Sequence, residues 1–233
     1  MQAILILTGL DLEARALARW LALPSLPSRG APAFGTALMR AAPVGVRGAC
    51  LDDRWASLVS GLERPLVISA GLCGALDPDL GPGAVVVPDR VIGPLWEEMR
   101  PDGDAHRRAL GRSPSARIGP LVTAPDVVAT PQAKAELRAR SGAIAADMES
   151  AAILQTAAAA GFPSLVVRGV SDHAQQEPPR ELIDVMSPEG RLRIGRAGAL
   201  IAHPAVLPQA FRLRRATTRA LRAVAQVLAG LAA

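Results

Sequence analysis

Two short stretches, Ala146-Asp-Met-Glu-Ser-Ala-Ala152 and Val166-Val-Arg-Gly-Val-Ser-Asp-His173, constrain the fold more than any other part of the chain. The second is an apolar run of strand length that ends by presenting Ser171 and Asp172. The first opens an Ala-rich helix with Asp147 and Glu149 at its start. A carboxylate at the C-terminal end of a strand, beside another at a helix start, suits an open α/β sheet that grips a polar ligand in its crevice.

The rest of the chain alternates in the same way. Ala3 to Leu7 is a short strand, and Asp11 to Leu21 an amphipathic helix after a Thr-Gly turn. Pro24 to Pro32 is a surface loop. Ala42 to Ala49 is expected as a strand, with Asp52 or Asp53 capping a helix that runs to about Gly61. Pro65 to Ala70 is a buried strand, and Gly71 to Leu76 a glycine-bearing loop after it. Ala84 to Pro88 and Ile118 to Thr123 are further strands. Helices are expected near Ala105 to Leu110, over Pro131 to Arg140 with proline in the first turn, and over Glu149 to Ala160 up to Gly161. Leu165 to Val170 is a strand, Gln175 to Arg196 a loop, and Pro208 to Ala232 a basic amphipathic helix. This alternation predicts one α/β domain over residues 1–233, a three-layer α/β/α sandwich around a mixed sheet.

Composition narrows the function classes. Half of the 233 residues are hydrophobic, only 3% are aromatic and tyrosine is absent, so Ala, Leu, Val and Ile must build the core. The formal charge of +5 is almost wholly arginine, because Lys134 is the only lysine. No nucleic-acid motif accompanies that charge. Cys50 and Cys73 form no CxxC pair, which argues against a zinc site or a disulfide framework. The apolar N-terminal run stops at Thr8-Gly9, and no segment reaches the roughly 18 apolar residues of a membrane span, so a cytoplasmic protein is expected.

Each acid has an ordinary explanation beside a functional one. Asp172 is either a ligand-facing acid at a strand end or a turn residue. Glu149 suits the positive end of a helix dipole without any further role. Yet Met148 between two acids also suits a sugar, with the thioether on the ring face and Glu149 accepting from paired hydroxyls. Asp147 is expected to be the cap, and Glu13 is either an exposed helix acid or part of the site. Gly71 and Gly74 would let backbone approach a ligand, but no GxGxxG or Walker motif is present.

Together these segments resemble the nucleoside phosphorylase and nucleosidase superfamily, over Gly9 to Arg15, Ser69 to Pro88 and above all Ala146 to Ala174. The resemblance implies cleavage of the N-glycosidic bond of a purine nucleoside and a nucleoside phosphorylase-like mixed sheet. It makes Asp172 the acid that protonates the departing base. It assigns the ribose to Glu149 and Met148, and the substrate's surroundings to Ser171, Gly71 and Leu72. Glu13 occupies the place where nucleosidases activate water and hexameric phosphorylases carry a phosphate-binding arginine. A second such arginine is replaced by Ser69. No metal or organic cofactor is implied, with phosphate the alternative co-substrate to water.

Two departures matter. Leu72 replaces a serine of the nucleosidases, and Val127 or Val128 stands where they place a base-stacking phenylalanine. The run Gly190 to Arg193, the His203-Pro204 segment and the arginine-rich terminal helix are similar to a hopanoid-associated branch, which implies adenosylhopane as substrate. The terminal helix carries Leu213, Leu221, Val224, Val227, Leu228 and Leu231 as a stripe, with Arg214, Arg215, Arg219 and Arg222 beside it. The stripe can pack on the sheet while the arginines meet an anionic bilayer. The expected partners are a small-molecule nucleoside with a hydrophobic tail, a membrane surface, and further copies of the chain. The alternatives are a methylthioadenosine or adenosylhomocysteine nucleosidase, and a non-catalytic α/β protein recruited to membranes. Trp96 is the expected aromatic wall of the pocket.

Overall fold

The computed structural model describes residues 2–28, 31–177, 187, 189 and 207–232. Eleven strands form one mixed sheet, and its axis is β5, Leu66–Ala75. The first strand, β1 (Ile4–Thr8), pairs in parallel with Leu66 to Ser69 of β5 and, on its other side, with β4 (Met39–Pro43). Beyond β4 lie β3 (Ala33–Gly35) and β2 (Ser25–Leu26). On the edge of β5 where β1 ends, β10 (Ala145–Asp147) takes over antiparallel at Gly74 and Ala75. From there the sheet continues through β9 (Leu121–Thr123), β7 (Val91–Ile92) and β8 (Glu98–Met99). The other edge of β5 pairs in parallel with β11 (Ser164–Asp172), which also carries the short β6 (Val85–Val86).

Among the described residues, six α-helices flank the sheet. They are α1 (Asp11–Trp20), α2 (Leu51–Val59), α3 (Gly103–Arg112), α4 (Pro131–Ser141), α5 (Ser150–Ala159) and α6 (Leu207–Ala232). The layering follows from the strand period of two. Ile4 and Ile6 of β1 face a cluster with Leu17 of α1, Ala105 and Ala109 of α3, and Val224 and Leu228 of α6. Leu5 and Leu7 face the opposite cluster, with Leu51 and Leu58 of α2 and Ile153 and Ala157 of α5. A sheet buried on both faces reads as apolar runs rather than alternation, as Ile4 to Leu7 of β1 do and as Leu165 to Val170 of β11 do apart from Arg168.

Several local expectations change. Gly71 to Leu76 is not a loop: β5 runs through to Ala75 because β11 pairs with it along nearly its whole length. The strand expected over Ala42 to Ala49 is shifted to Met39–Pro43, and Val46–Gly48 is a 3-10 turn with Arg47 at φ 58. Asp52 and Asp53 lie in the first turn of α2, whose N-cap is Cys50. Helix α5 starts at Ser150, so Glu149 is its N-cap residue and not part of the first turn. The segment read as a loop from Pro24 contains β2. The loop expected from Gln175 to Arg196 and the Gly190 to Arg193 and His203-Pro204 segments lie almost wholly outside the described residues. Among the described residues, no helix is long and apolar enough to cross a membrane.

Candidate functional site

The edge of β5 between the end of β1 at Ser69 and the start of β10 at Gly74 has no strand beside it. A buried backbone N–H there needs an acceptor from elsewhere. Glu13 supplies it: Oε1 accepts from Leu72 N at 2.8 Å, while Oε2 accepts from Leu10 N at 3.0 Å and closes the first turn of α1. The carboxyl is thus held at the gap in the sheet and is 3% exposed. Burial raises its proton affinity above the ordinary carboxylate value, with Arg168 and the two backbone donors pulling the other way.

Arg168 fixes the floor. It projects from the middle of β11 and is fully buried. Its Nη2 reaches Asp147 Oδ2 at 2.5 Å, Ser69 Oγ at 2.7 Å and Ser150 Oγ at 3.1 Å. Its Nη1 reaches the Leu72 carbonyl at 3.3 Å and Glu149 Oε2 at 3.7 Å. Burial alone would loosen the proton of this guanidinium, but Asp147, Glu149 and Glu13 outweigh it and hold the charge in place. Asp147 also accepts from Thr123 Oγ1 at 2.8 Å and from Ser150 N at 3.1 Å, so it caps α5 and neutralises Arg168 at once. Glu149 is the second, more distant carboxyl group on the same cation. Burial pushes its proton affinity up to about 8, against the pull of Arg168. Its Oε1 accepts from Arg47 N at 3.4 Å, and its carboxyl group lies against Gly9, where a Cβ would come within 2.7 Å.

Asp172 sits at a β-bulge. Val170 faces Cys73 and Asp172 faces Gly74, so Ser171 is the extra residue on β11. A bulge of this kind re-aims a side chain at a strand end. One carboxylate oxygen, Oδ1, lies 2.6 Å from Ser171 Oγ, which is also 3.1 Å from the Cys73 carbonyl oxygen. The other, Oδ2, accepts from the Nζ of Lys134, a buried residue in the first turn of α4. Helix α4 is set by Thr130, whose side chain caps Ala133 N at 3.2 Å, and is ended by Gly142 at φ 67. His173 is a turn residue bonded through Nε2 to the Pro78 carbonyl at 2.9 Å.

These groups surround one cavity of about 660 Å³. Glu13, Leu72, Met148, Glu149, Ser171 and Asp172, all singled out by sequence, line it. Gly71 does not. It lies behind the wall at φ +150, where a Cβ would come 2.8 Å from Glu13 Oε1 and 2.9 Å from Arg168 Nη1, so its function is to let those two side chains close on the backbone. Gly74 takes a place on the lining instead. Apolar side chains complete the wall, among them Leu10, Val46, Leu76, Val127 and Val128. Cys73 also contributes, with its thiol pushed far up by burial. Trp96 is not part of the cavity. It is 45% exposed, under the guanidinium of Arg140 at 4.9 Å.

Sequence reasoning passed over Lys134, Asp147 as a partner of Arg168, and Arg168 itself. The available signal was an arginine inside an apolar strand, which cannot be buried without carboxylates close by. Among the described residues no group of three or more His, Cys, Asp or Glu side chains is arranged to hold a metal.

Residues 58–202 match the sequence profile of the phosphorylase superfamily. A sequence search against curated proteins finds no match. Solved structures share the fold at low identity. A mutant 5′-methylthioadenosine nucleosidase of Helicobacter pylori, with 5′-methylthioadenosine in its active site, superposes with a TM-score of 0.74 at 16% identity, covering 100% of this chain and 98% of that one. The 5′-methylthioadenosine/S-adenosylhomocysteine nucleosidase of Neisseria meningitidis, bound to methylthio-immucillin-A, gives 0.74 at 18% identity over 100% and 99%. Futalosine hydrolase of Helicobacter pylori gives 0.74 at 15% identity over 99% and 97%.

Proposed function

This chain belongs to the phosphorylase superfamily, and from that premise and the geometry of its cavity we propose that it hydrolyses the N-glycosidic bond of an adenine nucleoside. The observation that carries the reading is the convergence of Asp172, Glu13 and Glu149 on one cavity, each held there by a different element. Asp172 protonates the base as it departs, a contribution of roughly 10² to 10⁴ in rate. Glu13 takes a proton from the attacking water, and burial, which raises its proton affinity, makes it a stronger base than an exposed carboxylate. Glu149 and Met148 hold the ribose, the carboxyl group hydrogen-bonding the hydroxyls of a sugar that becomes oxocarbenium-like. Ser171 steadies the acid.

Water is favoured over phosphate by the charges at the floor. Glu13, Asp147 and Glu149 gather around a single buried guanidinium that is already committed to two of them. Among the described residues, the cation at that floor is already matched by Asp147, so a phosphate anion would gain little from it.

The apolar lining supports a nucleoside whose 5′ side carries a hydrophobic group, and the resemblance to the hopanoid-associated branch selects adenosylhopane. Methylthioadenosine is the second reading, favoured by the likeness to enzymes of that specificity. We take the protein to act in the cytoplasm as a homo-oligomer. The exposed arginines of α6 would rest on the inner membrane surface, where such a substrate resides. The test is adenine release from detergent-solubilised adenosylhopane and from methylthioadenosine, with and without phosphate. Release from the hopanoid alone supports the narrower substrate, and release from methylthioadenosine alone assigns the second reading. A requirement for phosphate would overturn the role of Glu13, and no adenine from either would reject the reaction class.

A further inference from the structure

Lys134 is the only lysine in a chain with 26 basic residues, and it is 1% exposed. All three of its ammonium protons have acceptors: Asp172 Oδ2, the His173 carbonyl at 2.9 Å and the Gln176 carbonyl at 3.0 Å. We infer that Lys134 is the positioning residue of the acid Asp172, fixing one carboxylate oxygen and stabilising the carboxylate left behind once the proton has gone to the base. This rests on the reading of Asp172 as the group that protonates the base.

The choice of side chain is specific. Three single acceptors diverging from one point suit the compact ammonium of lysine, whereas the planar fork of arginine suits a bidentate partner. Elsewhere on α4 the chain uses arginine, as in the half-exposed pair of Arg138 with Asp77 at 3.2 Å. A buried ion pair is also a poor way to gain stability compared with apolar packing, so its presence against the cavity calls for another reason. The contacts to His173 and Gln176 tie the turn after β11 to α4, so the acid is held from a different part of the sheet than the one that bears it.

The proton count closes without any change at Lys134. The O–H bond of Asp172 breaks and an N–H bond forms on the base. The electron pair of the C1′–N bond stays with the base, the water oxygen bonds to C1′, and its proton passes to Glu13. Solvent then returns a proton to Asp172. Lys134 keeps its charge throughout, facing a carboxylate at the moment when that carboxylate most needs one.

The experiment compares wild type, Lys134→Met, Lys134→Gln, Lys134→Arg and Asp172→Asn on two substrates. One is methylthioadenosine, or adenosylhopane if that is the nucleoside turned over. The other is p-nitrophenyl β-ribofuranoside, whose leaving group departs without a proton. Lys134→Met and Lys134→Gln should lose on the order of 10²-fold in kcat on the adenine nucleoside while staying within about threefold of wild type on the nitrophenyl riboside. Asp172→Asn should show the same selectivity, and Lys134→Arg should recover part of the loss. The Gln variant retains donors for the two carbonyls, and nitrophenyl riboside cleavage reports that each variant is folded. Equal loss on both substrates would reduce Lys134 to a structural residue and overturn the inference. So would a selective loss in Asp172→Asn that Lys134→Met does not share. Wild-type protein inactive on every substrate would instead reject the N-glycosidase reading, and the inference with it.

Discussion

Arg168 sits among apolar neighbours in the middle of β11, without solvent exposure, facing Asp147 at 2.5 Å and Glu149 at 3.7 Å. Replacing it with methionine leaves the buried carboxylate of Asp147 uncompensated, and a loss of about 3–5 kcal/mol in unfolding free energy is expected from urea titration. Retention of wild-type stability would mean that Asp147 does not depend on Arg168 for its compensation. Glu149 carries a prediction of its own. Asp147 already matches the charge of Arg168, so the buried Glu149 keeps its proton to about pH 8, whereas in the unfolded chain it loses it near 4.5. Between those values the folded state holds the extra proton. The stability this group contributes is therefore complete below about pH 4.5 and lost as the pH rises to about 8. Glu149→Gln should flatten the decline of stability across pH 5 to 8, and an unchanged slope would assign the proton to another group. Sequence marked Glu13, Glu149 and Asp172 because their neighbours in the chain form compact motifs. It could not mark the cations that partner them, since Arg168 meets Asp147, and Lys134 meets Asp172, only across the fold.

Helix α6 is where packing decides most. Ala220, Leu221, Val224, Val227 and Leu228 are buried, whereas Phe211, Arg214, Arg215 and Arg219 are exposed. The stripe predicted from its periodicity does pack on the sheet, and its closest approach is at Gly169 of β11. A Cβ there would stand 2.8 Å from the backbone carbonyl group of Ala220. Helix backbone cannot swing aside as a side chain end can, so Gly169→Val must push α6 off the strand. A loss of roughly 1–3 kcal/mol, or failure to fold, is expected in thermal and chemical denaturation. A wild-type melting temperature would show that α6 can shift without loss. The long strand β5 illustrates the opposite limit of sequence reading. Gly71, Gly74 and their neighbours have the composition of a turn, yet β11 and β10 provide ladder partners that hold them as strand.

Taken together, the sheet brings the cavity to the end where Asp172 closes β11, and the net charge of +5 is carried largely by arginine. If α6 meets the membrane as proposed, the protein should sediment with anionic vesicles and not with neutral ones. Arg214→Glu with Arg215→Glu should abolish this without changing adenine release from a soluble nucleoside. Vesicle binding that survives both changes would place the contact elsewhere on the surface. The strand and helix alternation, the family, and the residues that face the cavity from Glu13, the Met148 and Glu149 pair and Asp172 all follow from the amino-acid sequence, because local periodicity and short motifs are properties of neighbours in the chain. The gap in the sheet that recruits Glu13, the bulge that turns Asp172, and the committed charges of Arg168 and Lys134 belong to the tertiary structure alone. Each depends on groups far apart in sequence, 59 residues between Glu13 and Leu72 and 38 between Lys134 and Asp172, that only the folded sheet brings together.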